Sequence, residues 1–377
     1  FEATNFFDET NSPLQSLIFP SLPDLIDIRT GASAFDDEGN LWNMTSRVDL
    51  ALKSYNPASN QWRTFSFENF IEDPVFDETG FYDIAVDNNT ETKWIGSFFN
   101  GLIAYNENES PRIKQIKNET QGLPTSWVRT LAIDNSGQLW IGTGFGLRVL
   151  FNTSGFFDDE NIVVEPIIFL EDGLARELLE NQAITDIEVD GSNNKWIATV
   201  DSGVFYVSPN GQTTIYHFTK DNSPLPTNAI NDISIDESNG TVYFSTPNGL
   251  LSFRAGGSAT VEELTDAYAY PNPVRPEYNI LGASDLNDIN KGVKIVGLTE
   301  NVNVKITDVT GNLVAEAQSR VNRRNSNLRT NFAIDGGTGI WNGKNLANNV
   351  VASGVYLIII NDLDTFENKI LKLLIVR

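Results

Sequence analysis

Residues 131–147 read LAIDNSGQLWIGTGFGL, and this stretch decides the fold. An alternating apolar strand ends at Asp134, a polar turn containing Gly137 follows, and a second strand opens on Trp140. Alternation with a period of two is typical of a half-buried β-strand. The aspartate can accept backbone N–H bonds in the turn, and the glycine can supply a positive φ. The stretch therefore predicts a β-hairpin with a large ring at the start of its second strand.

The same plan occurs five times before residue 265. Each copy places an aromatic ring at the equivalent position, and successive rings are 46 to 56 residues apart: Trp42, Trp94, Trp140, Trp196 and Tyr243. A repeat of about 40 to 55 residues that holds about four short strands is typical of propeller blades. We expect the five rings to be structural anchors that fill the blade cores. The sequence therefore predicts an all-β chain in which residues 1–265 form a β-propeller with about five recognisable blades.

The number of blades leaves two alternatives open. Five copies could close a ring, or they could belong to a larger ring in which residues 1–30 supply a closing strand. The only helix-like stretch, GLARELLENQA at 173–183, is predicted to be an insertion between blades.

A different pattern follows Tyr278. About seven short apolar strands separated by Gly and Asn turns predict a β-sandwich over residues 279–377. Residues 355–360 (VYLIII) are apolar at consecutive positions, which predicts a central strand covered on both faces.

Residues 270–278 (YPNPVRPEY) separate the two patterns. Pro271, Pro273 and Pro276 fix φ and remove three backbone donors, so a central strand is excluded there. We therefore expect a stiff, extended boundary over residues 266–278.

The formal net charge of −24 is unevenly distributed. Residues 1–265 carry 14 Lys and Arg against 39 Asp and Glu, a net −25, whereas residues 266–377 carry 12 against 11, a net +1. An acidic surface disfavours nucleic acid, whose phosphates require a basic face. The split predicts separate roles for the two regions, or simply a solubilising acidic domain beside a neutral one.

The amino-acid composition also excludes several kinds of protein and site. The chain has no cysteine, which excludes disulfides and thiolate metal sites. No apolar run is long enough for a transmembrane helix. The first residue is Phe1 rather than Met, so we expect a mature or trimmed portion of a longer protein.

The phrase WIGT at 140–143, followed by Gly146 and Leu147, resembles the two-component-regulator propeller repeat. Related phrases begin at Trp94 and Trp196, and the resemblance covers about residues 30–255. That family forms extracytoplasmic sensor propellers and also occurs outside sensors, so the motif specifies fold better than function.

The C-terminal region resembles the sorting domain of the type IX secretion system of Bacteroidetes. The matching phrases are YPNP at 270–273, VKITDVTGNLV at 304–314, IWNGKNLANNVVASGVYLI at 340–358 and KILKLLIVR at 369–377. In that family the domain is an export signal read at the outer membrane, usually removed by a sortase that anchors the protein to lipopolysaccharide.

The pairing of these propeller repeats with YPNPVRPEY resembles the PorZ family. That family has two propellers followed by a retained sorting-type domain, and this chain would match the second propeller and the sandwich. The resemblance implies a non-enzymatic protein at the cell surface, exported through the periplasm and associated with the outer membrane. It also implies as partners the sortase, other type IX components and anionic lipopolysaccharide, with no cofactor.

Two other functions are weighed against this one. The chain could be an exported cargo, an adhesin or a glycan-active enzyme, that carries a cleavable sorting domain. It could also be the sensor region of a two-component receptor, although no membrane helix or kinase follows the propeller.

Four arginines lie within ten residues of an otherwise acidic protein: Arg320, Arg323, Arg324 and Arg329. Guanidinium groups bind phosphate or carboxylate through paired hydrogen bonds, so this arginine group predicts a site for an anionic glycan. Arg275, Lys291 and Lys294 could extend it. A solvated loop is the alternative interpretation.

Catalytic and metal sites are not predicted. His217 is the only histidine, so neither a His-based triad nor a His-rich metal site can be assembled. Among 50 acidic residues no spacing singles out a pair for glycoside cleavage, and turn chemistry explains acidic turns such as Asp36–Glu38 better than calcium does. Trp62, Trp127 and Trp341 lie outside the repeat anchors; each could contact carbohydrate, but core packing is the better explanation.

Overall fold

The computed structural model describes residues 5–17, 22, 24–67, 70–71, 80–171, 173–284, 286, 290–323 and 330–377. Regular structure in these residues consists of 28 β-strands and three 3-10 helices, at Glu119–Gln121, Leu264–Asp266 and Pro276–Tyr278. The predicted all-β class is confirmed.

Five antiparallel sheets succeed one another along residues 30–254, and we call each a blade. Blade 1 contains β1 (Thr30–Phe35), β2 (Leu41–Thr45), β3 (Leu52–Asn56) and β4 (Gln61–Phe65). Blade 2 contains β5 (Phe81–Asp87), β6 (Thr92–Ser97), β7 (Leu102–Tyr105) and β8 (Ile113–Ile116). Blade 3 contains β9 (Val128–Ile133), β10 (Leu139–Thr143) and β11 (Gly146–Leu150).

A separate two-stranded sheet follows blade 3. It contains β12 (Ile168–Glu171) and β13 (Leu174–Glu177). Blade 4 then contains β14 (Ile184–Val189), β15 (Lys195–Thr199), β16 (Val204–Val207) and β17 (Thr214–Phe218). Blade 5 contains β18 (Asp232–Asp236), β19 (Thr241–Thr246) and β20 (Gly249–Arg254). Within each blade, strands that follow one another in the chain are hydrogen-bonded neighbours.

The small β12–β13 sheet lies between blades 3 and 4, where the sequence predicts an insertion, but it is not helical. The helix-like stretch at 173–183 begins with β13, which pairs residue by residue with β12, from Glu171 opposite Leu174 to Ile168 opposite Glu177. Helix propensity differs among ordinary residues by only about 0.7 kcal/mol each, so pairing with a neighbouring strand overrides it.

The first strands of successive blades contact one another, from β1 through β5, β9 and β14 to β18. Aspartates on these strands join neighbouring blades. The Leu131 amide donates to Asp83 Oδ2 at 2.7 Å, and the Ile233 amide donates to Asp186 Oδ2 at 2.7 Å. Each carboxylate thereby ties its own blade to the backbone of the next.

The described residues show no strand pairing between blade 5 and blade 1. Residues 5–17, 22 and 24–29 contain no strand, so this part of the N-terminal segment does not supply the closing strand considered above. Phe7 instead packs against the outer strands of blade 1, with ring centroids 4.9 Å from Tyr55 and 5.2 Å from Trp62.

Four of the five predicted anchors are buried between blades. Trp42, Trp94, Trp140 and Trp196 are each at most 3% exposed, and each packs in a cluster with apolar residues of the following blade. Tyr243 has the same register, opposite Ser234 and Ser252, but is 38% exposed. The prediction that Tyr243 fills a core is wrong, because no further sheet covers blade 5 in the described residues.

The sandwich contains two four-stranded antiparallel sheets, eight strands rather than about seven. One sheet has the order β21 (Tyr268–Tyr270), β22 (Val293–Val296), β26 (Thr338–Trp341) and β25 (Phe332–Asp335). The other has the order β24 (Leu313–Gln318), β23 (Val302–Asp308), β27 (Gly354–Asp362) and β28 (Asn368–Ile375). Residues from both sheets, such as Ile295 and Trp341 from the first and Ile306 and Ile358 from the second, form one core.

Strand β27 is central in its sheet, as predicted, but it is covered on one face only. Tyr356, Ile358 and Ile360 point into the core, whereas Val355 is 42% exposed and Leu357 is only half-buried. A sandwich of two sheets buries only the inner face of each. The run of consecutive apolar residues therefore predicted more burial than strand β27 has.

The proline-rich phrase lies against the edge of strand β28. Asn272 Nδ2 donates to the Lys372 carbonyl at 2.7 Å, and the Leu374 amide donates to Asn272 Oδ1 at 3.1 Å. The Val274 amide donates to the Leu374 carbonyl at 2.8 Å. An unpaired edge strand is a template for aggregation, and this segment occupies that edge. Strand β21, which falls within the predicted boundary at 266–278, is thus part of the sandwich, and Val274 in the same boundary is bonded to β28.

Candidate functional site

The propeller and the sandwich meet where the β14–β15 turn of blade 4 faces the β25–β26 hairpin. The segment after blade 5 runs between them: the Gly191 amide donates to the Gly257 carbonyl at 2.9 Å, and the Gly337 amide donates to the Ser258 carbonyl at 2.8 Å. A Cβ atom at Gly191 would lie 2.0 Å from the Ser258 oxygen. Glycine therefore permits the backbones to approach this closely.

Side chains also join the two domains. Ser192 Oγ of blade 4 donates to Asp335 Oδ1 of the sandwich at 2.7 Å. Ser258 Oγ and Thr338 Oγ1 are hydrogen-bonded at 2.7 Å. Because Asp335 and Ser258 are buried, these bonds are shielded from water and hold the two hairpins in register.

Asp190 lies directly beneath this joint. It is 2% exposed and accepts hydrogen bonds from the Ser192 and Asn194 amides, each at 2.9 Å, and from the Tyr206 hydroxyl. Burial and the nearby Asp335 raise the pKa of Asp190 to about 7. The joint thus contains a carboxyl group that titrates near neutral pH.

A cleft of about 280 Å³ opens beside the joint. Its lining comes from the hairpin turns of blades 3 and 4, the connecting segment and the sandwich: Asn135, Ser136, Gly191, Ser192, Asn193, Thr260, Glu300, Ser319, Arg320, Arg323, Ile334 and Gly336. Two residues of the predicted arginine group therefore face polar residues of the propeller. This composite wall was not visible in the sequence, because its two halves lie more than a hundred residues apart.

Arg320 and Arg323 give the cleft its positive charge. Arg320 Nη2 lies 3.8 Å from Glu300 Oε1, and the two side chains are 61% and 70% exposed, so solvent weakens this pair. On the opposite wall, Asn193 Oδ1 accepts from the Asn135 amide at 2.9 Å, and Asn193 Nδ2 donates to Ser136 Oγ at 3.3 Å. Asn193 therefore holds two hairpin turns together as one surface.

Arg275, Lys291 and Lys294, which are described, do not line this cleft. Arg275 is exposed and lies 3.8 Å from Glu277, and Lys291 Nζ donates to the Asn279 carbonyl at 2.7 Å. Lys294 is 7% exposed, and its ammonium donates to the Gly292 carbonyl at 3.1 Å, which keeps it from the surface. Arg324 and Arg329 lie outside the described residues.

The tryptophans outside the repeat anchors and the histidine pack against other side chains of the fold. Trp341 is fully buried in the sandwich core, and Trp62 packs on Phe7. Trp127 contacts Phe98 at 5.1 Å and is only half-buried. His217 stacks on Phe205 at 3.9 Å, with Nε2 2.8 Å from the Ser202 oxygen. The described residues contain no cluster of three or more His, Cys, Asp or Glu side chains that could hold a metal ion.

An acidic cluster at the inner side of the propeller was missed by the sequence analysis. Burial raises the pKa of Asp83 to about 6, of Asp186 to about 7 and of Glu188 to about 8. Repulsion from Asp232 acts on all three. Perturbed acids are common at catalytic sites, but Asp83 and Asp186 already accept backbone N–H bonds from the next blade. Their arrangement therefore fits a structural role.

A second cavity, of about 400 Å³, lies beside blade 3 and is lined by Phe145, Arg148, Glu177 and neighbouring residues. The Arg148 guanidinium donates to Glu177 at 2.5 Å and to the Gly122 carbonyl at 2.8 Å. Both charged side chains are largely buried, so the pair stabilises the cavity wall.

The part of the chain that the structure describes contains no apolar helix of membrane-spanning length.

Comparison with known proteins agrees with this fold. The family described as two component regulator propeller matches residues 122–145, which include the blade 3 hairpin. The solved structure of PorZ, described as an essential bacterial surface component of the type IX secretion system of Porphyromonas gingivalis, matches with a TM-score of 0.59 and 26% sequence identity. This match covers 100% of the chain and 48% of PorZ.

The chain is therefore similar to PorZ in fold and in sequence. It spans about half the length of PorZ. A histidine kinase of Formosa agariphila is 27% identical over 254 residues, which are 57% of this chain and 18% of that kinase. The extracellular domain assigned to a one-component system of Bacteroides thetaiotaomicron is 14% identical, with a TM-score of 0.35 and coverage of 92% of this chain and 50% of that one.

Proposed function

We propose that this chain is a non-enzymatic surface component of a type IX secretion system. The supporting observation is the similarity to PorZ over the whole chain, which spans propeller and sandwich together. On this proposal the protein lies at the outer membrane surface, assists the sortase that attaches cargo, and presents anionic lipopolysaccharide to it. The acidic propeller, residues 1–265, and the near-neutral sandwich, residues 279–377, act as separate domains joined at 266–278.

The charge distribution supports the sandwich as the glycolipid-binding part. The propeller region has a net charge of −25 and the rest a net +1, so an anionic ligand is repelled less by the sandwich. Arg320 and Arg323 supply guanidinium groups there. Replacement of Arg320, Arg323, Arg324 and Arg329 by Ser should abolish lipopolysaccharide pull-down; unchanged pull-down would refute this part of the proposal.

The contacts between the domains support the proposal that the sandwich stays attached to the propeller and is not cleaved off by a sortase. Buried bonds such as Ser192 to Asp335 join it to blade 4, and Asn272 and Val274 cover strand β28. Cleavage near residue 270 would separate Ser192 from Asp335 and Ser258 from Thr338, whereas Asn272 and Val274 would stay with strand β28. A protein that keeps its last domain belongs with the machinery rather than with sortase substrates.

The second candidate is an exported cargo, an adhesin or a glycan-active enzyme, which the four sorting-domain phrases favour. The mass of the protein recovered from cells distinguishes the two. An intact C-terminal domain supports the machinery proposal, whereas a chain that ends near residue 270 with an added glycolipid supports cargo. Loss of cargo attachment after deletion of the gene, restored by the intact gene, would further support the machinery role.

A further inference from the structure

The cleft beside the joint combines two surfaces with complementary chemistry. The sandwich contributes the charged groups of Arg320 and Arg323, and the propeller contributes neutral amide and hydroxyl groups at Asn135, Ser136 and Asn193. Ligand sites occur preferentially at domain interfaces and combine a few convergent polar groups. Neither domain alone forms this cleft.

We propose that this cleft is a composite site for a single phosphate-bearing sugar headgroup, bound between the arginines of the sandwich and the Asn193 turn of blade 4. The inference deepens the proposed function and rests on it for the biological source of the ligand. Two guanidinium groups can each donate paired hydrogen bonds to one tetrahedral anion, whereas a planar carboxylate is satisfied by a single fork. The amide and hydroxyl groups opposite can bind sugar hydroxyls.

The shape and charge of the site favour a discrete headgroup over a flat membrane surface. The arginines line a concave cleft of about 280 Å³ rather than a protruding patch. The chain as a whole has a formal net charge of −24, so most of the protein would repel an anionic bilayer. Glu300 beside Arg320 limits the net charge of the cleft further, which also disfavours binding by charge alone.

Binding would also link the two domains. A ligand that contacts Arg323 and Asn193 at once binds only when the joint is formed, so it stabilises the docked arrangement. Soluble phosphosugar should therefore raise the thermal midpoint of the intact chain, and the rise should be lost when either wall is changed.

Direct binding is tested with the full chain by ³¹P NMR line broadening of glucose 1-phosphate and of inorganic phosphate. Arg320→Gln and Arg323→Gln should each weaken binding about tenfold, the effect of losing one charge-assisted interaction of about 1.4 kcal/mol. Asn193→Gly should weaken binding of glucose 1-phosphate several-fold; glycine retains the positive φ of 63° at this position. Arg275→Gln, which removes an equal charge outside the cleft, is the matched control and should have no effect.

A second propeller variant protects the test from folding effects. If Asn193→Gly lowers the urea midpoint, Ser136→Ala replaces it, because Ser136 lines the same wall. Unchanged binding in both arginine variants would overturn the site. Normal binding in a folded propeller variant, with loss in the arginine variants, would overturn its composite nature and leave an arginine site on the sandwich alone.

The source of the phosphate is distinguished by flotation with phosphatidylglycerol vesicles. We expect no arginine-dependent flotation; flotation without soluble phosphosugar binding would overturn the discrete-headgroup proposal in favour of a membrane surface. The proposed function is assessed separately by lipopolysaccharide pull-down. If the wild-type chain does not bind lipopolysaccharide but still binds phosphosugar through the cleft, the proposed function is refuted and the proposed site is retained.

Discussion

Lys195 Nζ lies 2.8 Å from Asp134 Oδ2, and the same ammonium lies 4.5 Å from the centroid of the Trp140 ring. The lysine belongs to blade 4, whereas its two partners belong to blade 3. Both charged side chains are buried, and Trp140 Nε1 donates to the same carboxylate at 3.0 Å. One ion pair therefore fixes the tryptophan and the boundary between two blades.

The first prediction concerns this pair. Lys195→Met should destabilise the chain by about 3–5 kcal/mol, because removal of one partner leaves Asp134 as an uncompensated buried charge. Urea unfolding followed by tryptophan fluorescence measures the loss. Lys305→Met removes a half-exposed lysine 3.7 Å from Glu316 and should cost about 0.2–1 kcal/mol. Equal losses in the two variants would contradict the account of the buried pair.

The second prediction concerns pH. The pKa of Asp190 is raised from 3.8 to about 7 in the folded chain, so the folded state holds this proton more tightly than the unfolded state. Stability from this group is therefore present below about pH 4 and is lost as pH rises toward 7. The thermal midpoint should fall over this window, and Asp190→Asn should reduce the fall.

Other groups also contribute to the pH dependence of stability in this window. Asp83 and Asp186 have raised pKa values and act in the same direction, so some slope should remain in Asp190→Asn. Hydrogen bonds from Asn312 and Thr310 lower the pKa of Asp308 to about 2, and Asp308→Asn should leave the slope between pH 5 and 7 unchanged. A wild-type midpoint that rises across this window would contradict the prediction.

The third prediction concerns Asn272 and the edge of β28. Asn272→Ala removes two hydrogen bonds to that strand, so amide exchange at Leu374 should accelerate and the protein should aggregate more readily. Hydrogen exchange with mass spectrometry and light scattering measure these effects. Asn301→Ala is the control, since the Asn301 side-chain amide donates to the exposed Asp364 side chain at 2.7 Å. Unaltered protection at Leu374 would refute the edge role.

The fourth prediction compares two repeat anchors. Trp196→Ala removes a fully buried ring that stacks on Tyr206 at 4.1 Å and should cost at least about 3 kcal/mol. Tyr243→Ala removes a ring that is 38% exposed and should cost clearly less. Chemical denaturation of both variants provides the comparison. A larger loss for Tyr243→Ala would show that a further sheet covers blade 5.

Sequence patterns predicted the features that depend on local interactions. The turn glycines Gly39, Gly137 and Gly240 have φ values of 79°, 74° and 66°, as the hairpin chemistry required. The four tryptophans are buried because the repeat spacing places each at a blade boundary. Tyr243 shows the limit of this inference, since burial depends on the next sheet rather than on the residue itself.

Features that depend on distant parts of the chain were not predictable. The arginine group was recognised from its charge, but the opposite wall at Asn193 is contributed by blade 4. The acids Asp83 and Asp186 were missed because their proximity results from the convergence of separate inner strands. In both cases one sequence without an alignment gives no signal of spatial contact.

The contact of Lys195 with Asp134 and Trp140 also shows that the blades are not equivalent. Lys93 of blade 2 lies 4.3 Å from the centroid of the Trp42 ring in blade 1, and Lys195 of blade 4 has the same relation to Trp140 in blade 3. The equivalent positions in blades 3 and 5 are occupied by Leu139 and Val242. Trp94 and Trp196 correspondingly have indole nitrogens without a hydrogen-bond partner. The electrostatic repeating unit is therefore a pair of blades, and recombination that replaced blade 4 with blade 3 or blade 5 would leave Asp134 and Trp140 facing Leu139 or Val242 instead of a lysine.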